Sequence, residues 1–224
     1  MIELDKIYNE DCVKGLELIK DKGVDMVLTD IPYGECNRFA KCDIRKINKG
    51  STADGVDFDL EKLVDTITNK VKKTVYIFCG VNQVSEIRKI MLEKGMSTRL
   101  CIWEKTNPSP MNGQNLWLSS IECCVFGKFS NATFNESCKS CVWKFPCGTA
   151  KIHPTQKPLK LFKYLISVSS NEGDIVLDPF SGSGTTAIAA KNLNRRFIAF
   201  EKNEGFYKAS IKRYKEETSQ LSLF

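Results

Sequence analysis

A loop of small residues between a short apolar run and a helix-like run is the first feature of this sequence that could hold a ligand. It reads Asp174-Ile-Val-Leu-Asp-Pro-Phe-Ser-Gly-Ser-Gly-Thr-Thr186. Ile175 to Leu177 form the apolar run, Asp178 closes it with an acid, and the turn Ser181 to Gly184 leads into Thr185 to Leu193. Strand, glycine turn and helix in that order open a nucleotide-binding α/β unit. Glycine tolerates positive φ and lets a ligand approach the backbone without a Cβ in the way. One βα step later Arg196-Phe-Ile-Ala-Phe-Glu201 ends in a second acid, placed to accept hydrogen bonds from ribose hydroxyls. An ordinary βα turn has the same composition, so the loop alone does not define a function.

Two other segments narrow the field: Thr29-Asp30-Ile31-Pro32-Tyr33-Gly34 far upstream, and His153-Pro-Thr-Gln-Lys-Pro158 just before the glycine unit. With all three, the chain resembles the S-adenosylmethionine (AdoMet)-dependent DNA amino-methyltransferases of permuted motif order, the beta-class adenine-N6 and cytosine-N4 group. In that family an Asp-Pro-Pro-Tyr-type catalytic motif precedes an Asp-Pro-Phe-Xaa-Gly-Ser-Gly-Thr cofactor motif. The resemblance covers nearly the whole chain and departs at Ile31, where the family usually has proline.

The resemblance implies roles. Asp178, Phe180, Ser181, Gly182, Gly184 and Thr185 would line the methionine and ribose end of AdoMet, and Glu201 would take the ribose hydroxyls. Asp11, with the Cys12 backbone, would lie at the adenine ring, and Thr155 and Lys157 would close over the methionine carboxylate. For Asp11 and Glu201 a helix cap or a solvated strand-end carboxylate is the plainer alternative. Asp30 and the Ile31 carbonyl would accept the two N–H bonds of an exocyclic amino group, drawing its lone pair out of the ring and towards the methyl donor. Pro32 fixes the turn, and Tyr33 offers a face to a base that has left the duplex. Isoleucine supplies the same carbonyl as proline but gives up a rigid constraint, so slower turnover is expected. An acid at position 30 favours adenine over cytosine. A cytosine, RNA or protein-glutamine acceptor stays open, as does a non-catalytic subunit. A nicotinamide dehydrogenase does not fit, because the loop lacks Gly-Xaa-Gly-Xaa-Xaa-Gly spacing.

Composition sets wider bounds. The 224 residues suit one α/β domain, and a net charge of +6 suits a nucleic-acid partner without demanding one. No run approaches a membrane span, and the start Met1-Ile-Glu-Leu-Asp5 lacks the form of a signal peptide. The 10 cysteines are scattered, with Cys79, Cys101, Cys123 and Cys124 in apolar runs, as in a reducing cytoplasm. Cys138, Cys141 and Cys147 resemble part of a zinc site, but the sole histidine, His153, belongs to another motif. Free thiols and no metal are the expectation. A bacterial or phage enzyme in the cytoplasm is implied, with DNA as partner, a cognate restriction endonuclease beside it, and a homodimer as the family's habit.

The elements that must position these residues form a doubly wound, mostly parallel α/β sheet, Rossmann-like and circularly permuted in motif order. Strands are expected at 5–8, 25–29, 74–79, 98–103, 121–126, 174–178 and 196–201. Amphipathic helices carry Val13, Leu16 and Ile19, then Leu60 to Val71, Val84 to Met91, Leu161 to Val168, and Glu204 to Glu217 with Phe206 and Tyr207 inward. One domain spans 1–224. A catalytic half covers 1–126, a short target-recognition segment 127–150, and a cofactor half 151–224. The basic stretch 34–56, with Arg38, Lys41, Arg45 and Lys46, and Lys144 further on, are candidate phosphate contacts. Placing the C-terminal half before the N-terminal one lines up Asp178, Glu201, Asp11 and Asp30 along one sheet edge.

Overall fold

The computed structural model describes residues 2–33, 59–110, 117–148, 152 and 156–219. Eight strands form one sheet: β1 (Lys6–Tyr8), β2 (Val24–Asp30), β3 (Val71–Cys79), β4 (Ser97–Lys105), β5 (Ile121–Lys128), β6 (Val142–Phe145), β7 (Ile175–Asp178) and β8 (Arg196–Phe200). Their order across the sheet is β1-β8-β7-β2-β3-β5-β4-β6. All neighbours are parallel except β5, which runs against both β3 and β4. Chain order therefore reverses between β7 and β2, which pair at Met26–Val176 and Val27–Leu177. In open α/β sheets such a reversal leaves a crevice at the carboxyl ends of the strands.

Period-two alternation sends successive residues of β2 to opposite faces, and both faces are covered. Val27, Val75 and Ile77 pack under α1 (Cys12–Glu17), α2 (Leu60–Lys70) and α3 (Val84–Glu93). Met26, Leu28, Phe78 and Val176 pack under α4 (Leu159–Ser169) and α5 (Thr185–Asn192), with Tyr207, Ile211 and Tyr214 of α6 (Glu204–Ser219) half-buried beside them. Each fully buried side chain of this size contributes roughly 1.5–3 kcal/mol over its exposed state. That two-sided cover is why β2 and β3 read as continuous apolar runs.

Three expectations need correction. Val13 is 45% exposed: α1 is only six residues long and buries Gly15 and Leu16 instead. Phe206 lines the crevice described below, while Tyr207 packs inward. Segment 127–150 contains a strand missing from those expected, because Val142–Phe145 add a parallel edge strand to β4. Its aromatics hold the fold: Trp143 is buried against Tyr76 and Phe78, Phe145 meets Tyr164, and Lys22 lies 4.0 Å over the Phe129 ring.

Candidate active site

The crevice at the chain reversal opens into a cavity of about 520 Å³, within the roughly 300–1,000 Å³ usual for ligand sites. Asp11, Cys12, Gly182 and Glu201 line one part of it, and Asp30, Ile31, Pro32, Tyr33 and Lys157 another. Residues nearly 150 positions apart thus share one wall: the Thr29 hydroxyl donates to Asp178 Oδ1 at 2.8 Å.

On the glycine-loop side, Gly182 and Gly184 take φ of +50° and +75°, which only glycine adopts without strain. Asp178 is buried and holds the loop together. It accepts hydrogen bonds from Thr29, from the Thr186 hydroxyl at 2.5 Å and from the Phe180 amide at 3.1 Å. Burial nonetheless pushes its pKa up to about 6. Glu201 accepts from the amides of Gly182 (2.9 Å) and Asn203 (2.7 Å), one on each oxygen. A carboxylate has about four acceptor sites, so half of its capacity is left for hydroxyls in the cavity. Asn9 donates to the carbonyls of Glu201 and Lys202 and fixes that turn. Ser181 Oγ is buried with no hydrogen-bond partner among the described residues. An acid for a hydroxyl pair, a backbone cradle and an orphaned hydroxyl together suit a nucleoside with a polar tail.

Two residues expected in this half do something else. Asp11 caps α1, accepting from the Val13 amide at 2.9 Å, and pairs with Lys202 at 2.9 Å. Its carboxylate is therefore spent largely on the helix end, although the residue still lines the cavity. Thr185 Oγ1 accepts from Arg213 of α6 at 2.9 Å, and the same guanidinium reaches the Ser183 carbonyl and hydroxyl at 3.1 Å. That side chain braces the loop from behind.

Lys157 lies on the catalytic side of the cavity. Its buried ammonium sits between two acids of the catalytic half. It lies 2.5 Å from Asp30 Oδ2 and 2.9 Å from Glu122 Oε2, with the Tyr33 hydroxyl at 3.2 Å. That hydroxyl is also 2.9 Å from Asp30 Oδ1 and 3.0 Å from Glu122 Oε2. Glu122 Oε1 meets Lys105 at 2.9 Å. Burial pushes the Asp30 carboxyl up to about 6 against the pull of Lys157, and the Glu122 charge adds to the rise. Burial acts on Glu122 in the same sense, but Lys157 and Lys105 together hold it below the usual range. Lys157 is raised, its two carboxylates outweighing burial.

The Asp30–Tyr33 turn is held from below. The Ile31 amide donates to the Phe78 carbonyl at 3.1 Å, and the Ile31 side chain is 2% exposed within the core. Gln83, buried, donates to the Pro32 carbonyl at 3.1 Å and accepts from the Gly80 amide at 2.8 Å. A Cβ on Gly80 would lie 3.0 Å from the Tyr33 carbonyl oxygen and 2.8 Å from Asn82 Oδ1. Gln83→Leu is therefore expected to lose about 1–3 kcal/mol of stability and to lower kcat while AdoMet affinity holds. Chemical denaturation beside single-turnover rates checks this, and unchanged turnover would remove Gln83 from the argument.

Glu122 and Gln83 escaped the sequence reading. Glu122 had one signal, a lone acid in the apolar run Ile121-Glu-Cys-Cys-Val-Phe126, since a charge in such a place needs a partner. Thr155, Arg38, Lys41, Arg45 and Lys46 lie outside the described residues. Lys144 is exposed on β6 and pairs with Glu104 at 3.3 Å. Cys138, Cys141 and Cys147 are free thiols, and no group of possible metal ligands stands among the described residues.

The sheet order and the cavity at its reversal are those of the α/β Rossmann-like fold that AdoMet-dependent methyltransferases share. Residues 114–212 match the family described as DNA methylase. The chain is 28% identical over 243 residues to the type II methyltransferase M2.MboI of Moraxella bovis, spanning 96% of this chain and 89% of that protein. It is 29% identical to M.HpaI of Haemophilus parainfluenzae, spanning 95% and 74%. The crystal structure of the M1.HpyAVI-SAM complex superposes with a TM-score of 0.73 at 28% identity, covering 93% of this chain and 98% of that one. PvuII DNA methyltransferase, cytosine-N4-specific, shares the fold at a TM-score of 0.69 and 14% identity, covering 96% and 92%. The chain is thus similar, over nearly its whole length, to type II DNA methyltransferases and to an AdoMet-bound relative of known structure.

Proposed function

We propose that this protein methylates the exocyclic N6 amino group of adenine in DNA at specific sites. The observation that carries the reading is the meeting of the Asp30–Tyr33 turn and the Gly182–Glu201 cradle in one cavity. AdoMet, when bound, supplies a methyl group on a sulfonium. The chain's own work is to orient the acceptor. Asp30 and the Ile31 carbonyl receive the two amino N–H bonds, which frees the nitrogen lone pair; the Tyr33 ring, half-buried at the cavity wall, offers a surface for the flipped base. The proton released after transfer falls to Asp30, whose raised pKa suits it to take one. On the cofactor side the free acceptor sites of Glu201 bind the ribose, and the loop amides and Phe180 form the floor.

Mass spectrometry of nucleosides from the DNA of cells expressing the protein tests the reading: N6-methyladenine is expected. N4-methylcytosine would replace the base assignment, and unmodified DNA would refute the activity. Glu201→Ala removes two charge-assisted acceptors, so AdoMet affinity should fall by about 10- to 100-fold in calorimetry. Wild-type affinity in that variant would show that the ribose is held elsewhere.

Segment 127–150 as a reader of the target, a partner endonuclease and a homodimer are proposed on the resemblance. For the first, the exposed remainder of the segment (Phe134, Lys139, Lys144) is what could touch DNA, since Trp143 is buried. Among the described residues no helix is long and apolar enough to cross a membrane.

A further inference from the structure

The Tyr33 hydroxyl has one proton and two carboxylate oxygens within hydrogen-bond reach, Asp30 Oδ1 at 2.9 Å and Glu122 Oε2 at 3.0 Å. Lys157 donates to Asp30 Oδ2 and Glu122 Oε2, and its third contact, at 3.2 Å, is the Tyr33 oxygen itself. With that lone pair occupied, the hydroxyl can donate to one acid at a time. If it serves Asp30, it takes one of the two acceptor sites on Oδ1 and draws charge from that oxygen. If it serves Glu122, both acceptor sites of Asp30 Oδ1 stay free for the cavity. Glu122 stands where this choice is made because β5 is antiparallel to β3: Cys123 pairs with Cys79, so the residue before it lies beside the carboxyl end of β3.

We propose that Glu122 is a positioning residue for methyl transfer: by drawing the Tyr33 proton and sharing Lys157, it leaves Asp30 Oδ1 open to receive the target amino group and tunes the charge on that carboxyl. The inference rests on the proposed activity but concerns a residue in no motif of the sequence. Among the described residues the charged and titratable groups facing the pair come from several elements and their flanks. Lys157 precedes α4, Lys105 ends β4, Tyr33 follows β2, and Asp178 ends β7. The Cys79, Cys123 and Cys124 thiols, raised by burial, stay neutral near neutral pH. Lys105 is the only one of these that touches Glu122 without also touching Asp30 or Tyr33, so it neutralises the outer oxygen and leaves the inner one to the cluster.

Glu122→Gln keeps the shape and removes the charge. The titration midpoint of Asp30, followed by NMR in protein carrying carbon-13 in its aspartate carboxyls and assigned by the signal lost in Asp30→Asn, should move down by about one unit. The acid limb of kcat/KM should move with it, kcat should drop by about 10²-fold, and AdoMet affinity should stay at the wild-type value. Glu122→Asp, which keeps the charge but withdraws it, should shift the midpoint in the same direction by less, and it carries the test if Glu122→Gln fails to fold. An unmoved Asp30 midpoint in the folded variant overturns the proposal, whatever happens to turnover. The NMR arm needs no DNA: a wild type that transfers no methyl group would count against the activity, while the titration still decides the coupling.

Discussion

Asp30→Ala should lower methyl transfer by about 10³-fold, the loss that follows removal of a preorganised polar contact made in the transition state. AdoMet affinity should stay within about twofold, because the loop amides and Glu201 that would hold it do not touch Asp30. The fold should survive, since Lys157 keeps Glu122 as a partner and the cluster loses no cation. The pH profile provides a second check on the same carboxyl. Burial places its titration near 6, so wild-type kcat/KM should fall below about pH 6, two units higher than for a solvated aspartate. The stability sign follows. A carboxyl raised in the folded state favours folding at pH values below its ordinary range, and that contribution is lost as pH rises through 6. Asp30→Asn, which has no charge to bury, should therefore gain in melting temperature relative to wild type at pH 8, and the gain should shrink as pH falls below about 6 and vanish only near pH 4. Turnover of Asp30→Ala near the wild-type rate would remove the mechanism. An acid limb near 4 would show that Asp30 is not the titrating group.

Much of this was legible because it is local. Ile175 to Asp178 and Phe197 to Glu201 are apolar runs closed by acids, and an acid at the end of a buried strand must face the open sheet edge. Motif order was enough to place Asp30 beside Asp178, since the winding rule acts on strand sequence and ignores where the chain starts. What escaped depends on contacts across the sheet. Val142 to Phe145 is too short to show a period, and it becomes a strand only because β4 offers an open edge. Lys157 looked like a cofactor ligand from its motif, yet its partner Glu122 comes from an antiparallel strand whose direction no local pattern reveals. Asp11 shows the opposite case: the cap reading was available from Asp-Cys-Val before a helix, and the helix end claims most of its carboxylate. Ile31 gives a physical reason for the motif's one departure. Its side chain is packed into the core beneath the turn, so an apolar anchor stands where the family usually has a ring.

Lys157→Met separates the two roles that have been open to this lysine. Methionine keeps the apolar stem, so the variant loses the ammonium and little volume. Asp30 and Glu122 would then face each other buried, with one tyrosine proton between them and Lys105 reaching only the outer Glu122 oxygen. Removing one partner of a buried ion pair costs about 3–5 kcal/mol, a large share of the roughly 5–15 kcal/mol a domain has. Lys157 itself is charged in folded and unfolded chains throughout pH 5–8, so the pH dependence of the loss comes from the acids. Without the cation Asp30 rises further and Glu122 rises from its lowered position, the folded state takes up protons more readily, and the loss shrinks as pH falls from 8 to 5.5. The acid limb of kcat/KM should move up for the same reason. Urea unfolding of wild type and variant at those two pH values, beside the rate profile, makes the comparison. If the ammonium instead held the methionine carboxylate, AdoMet affinity would drop while the unfolding difference stayed the same at both pH values and the acid limb stayed in place. The distances of 2.5 Å to Asp30 and 2.9 Å to Glu122 make the first pattern the expected one.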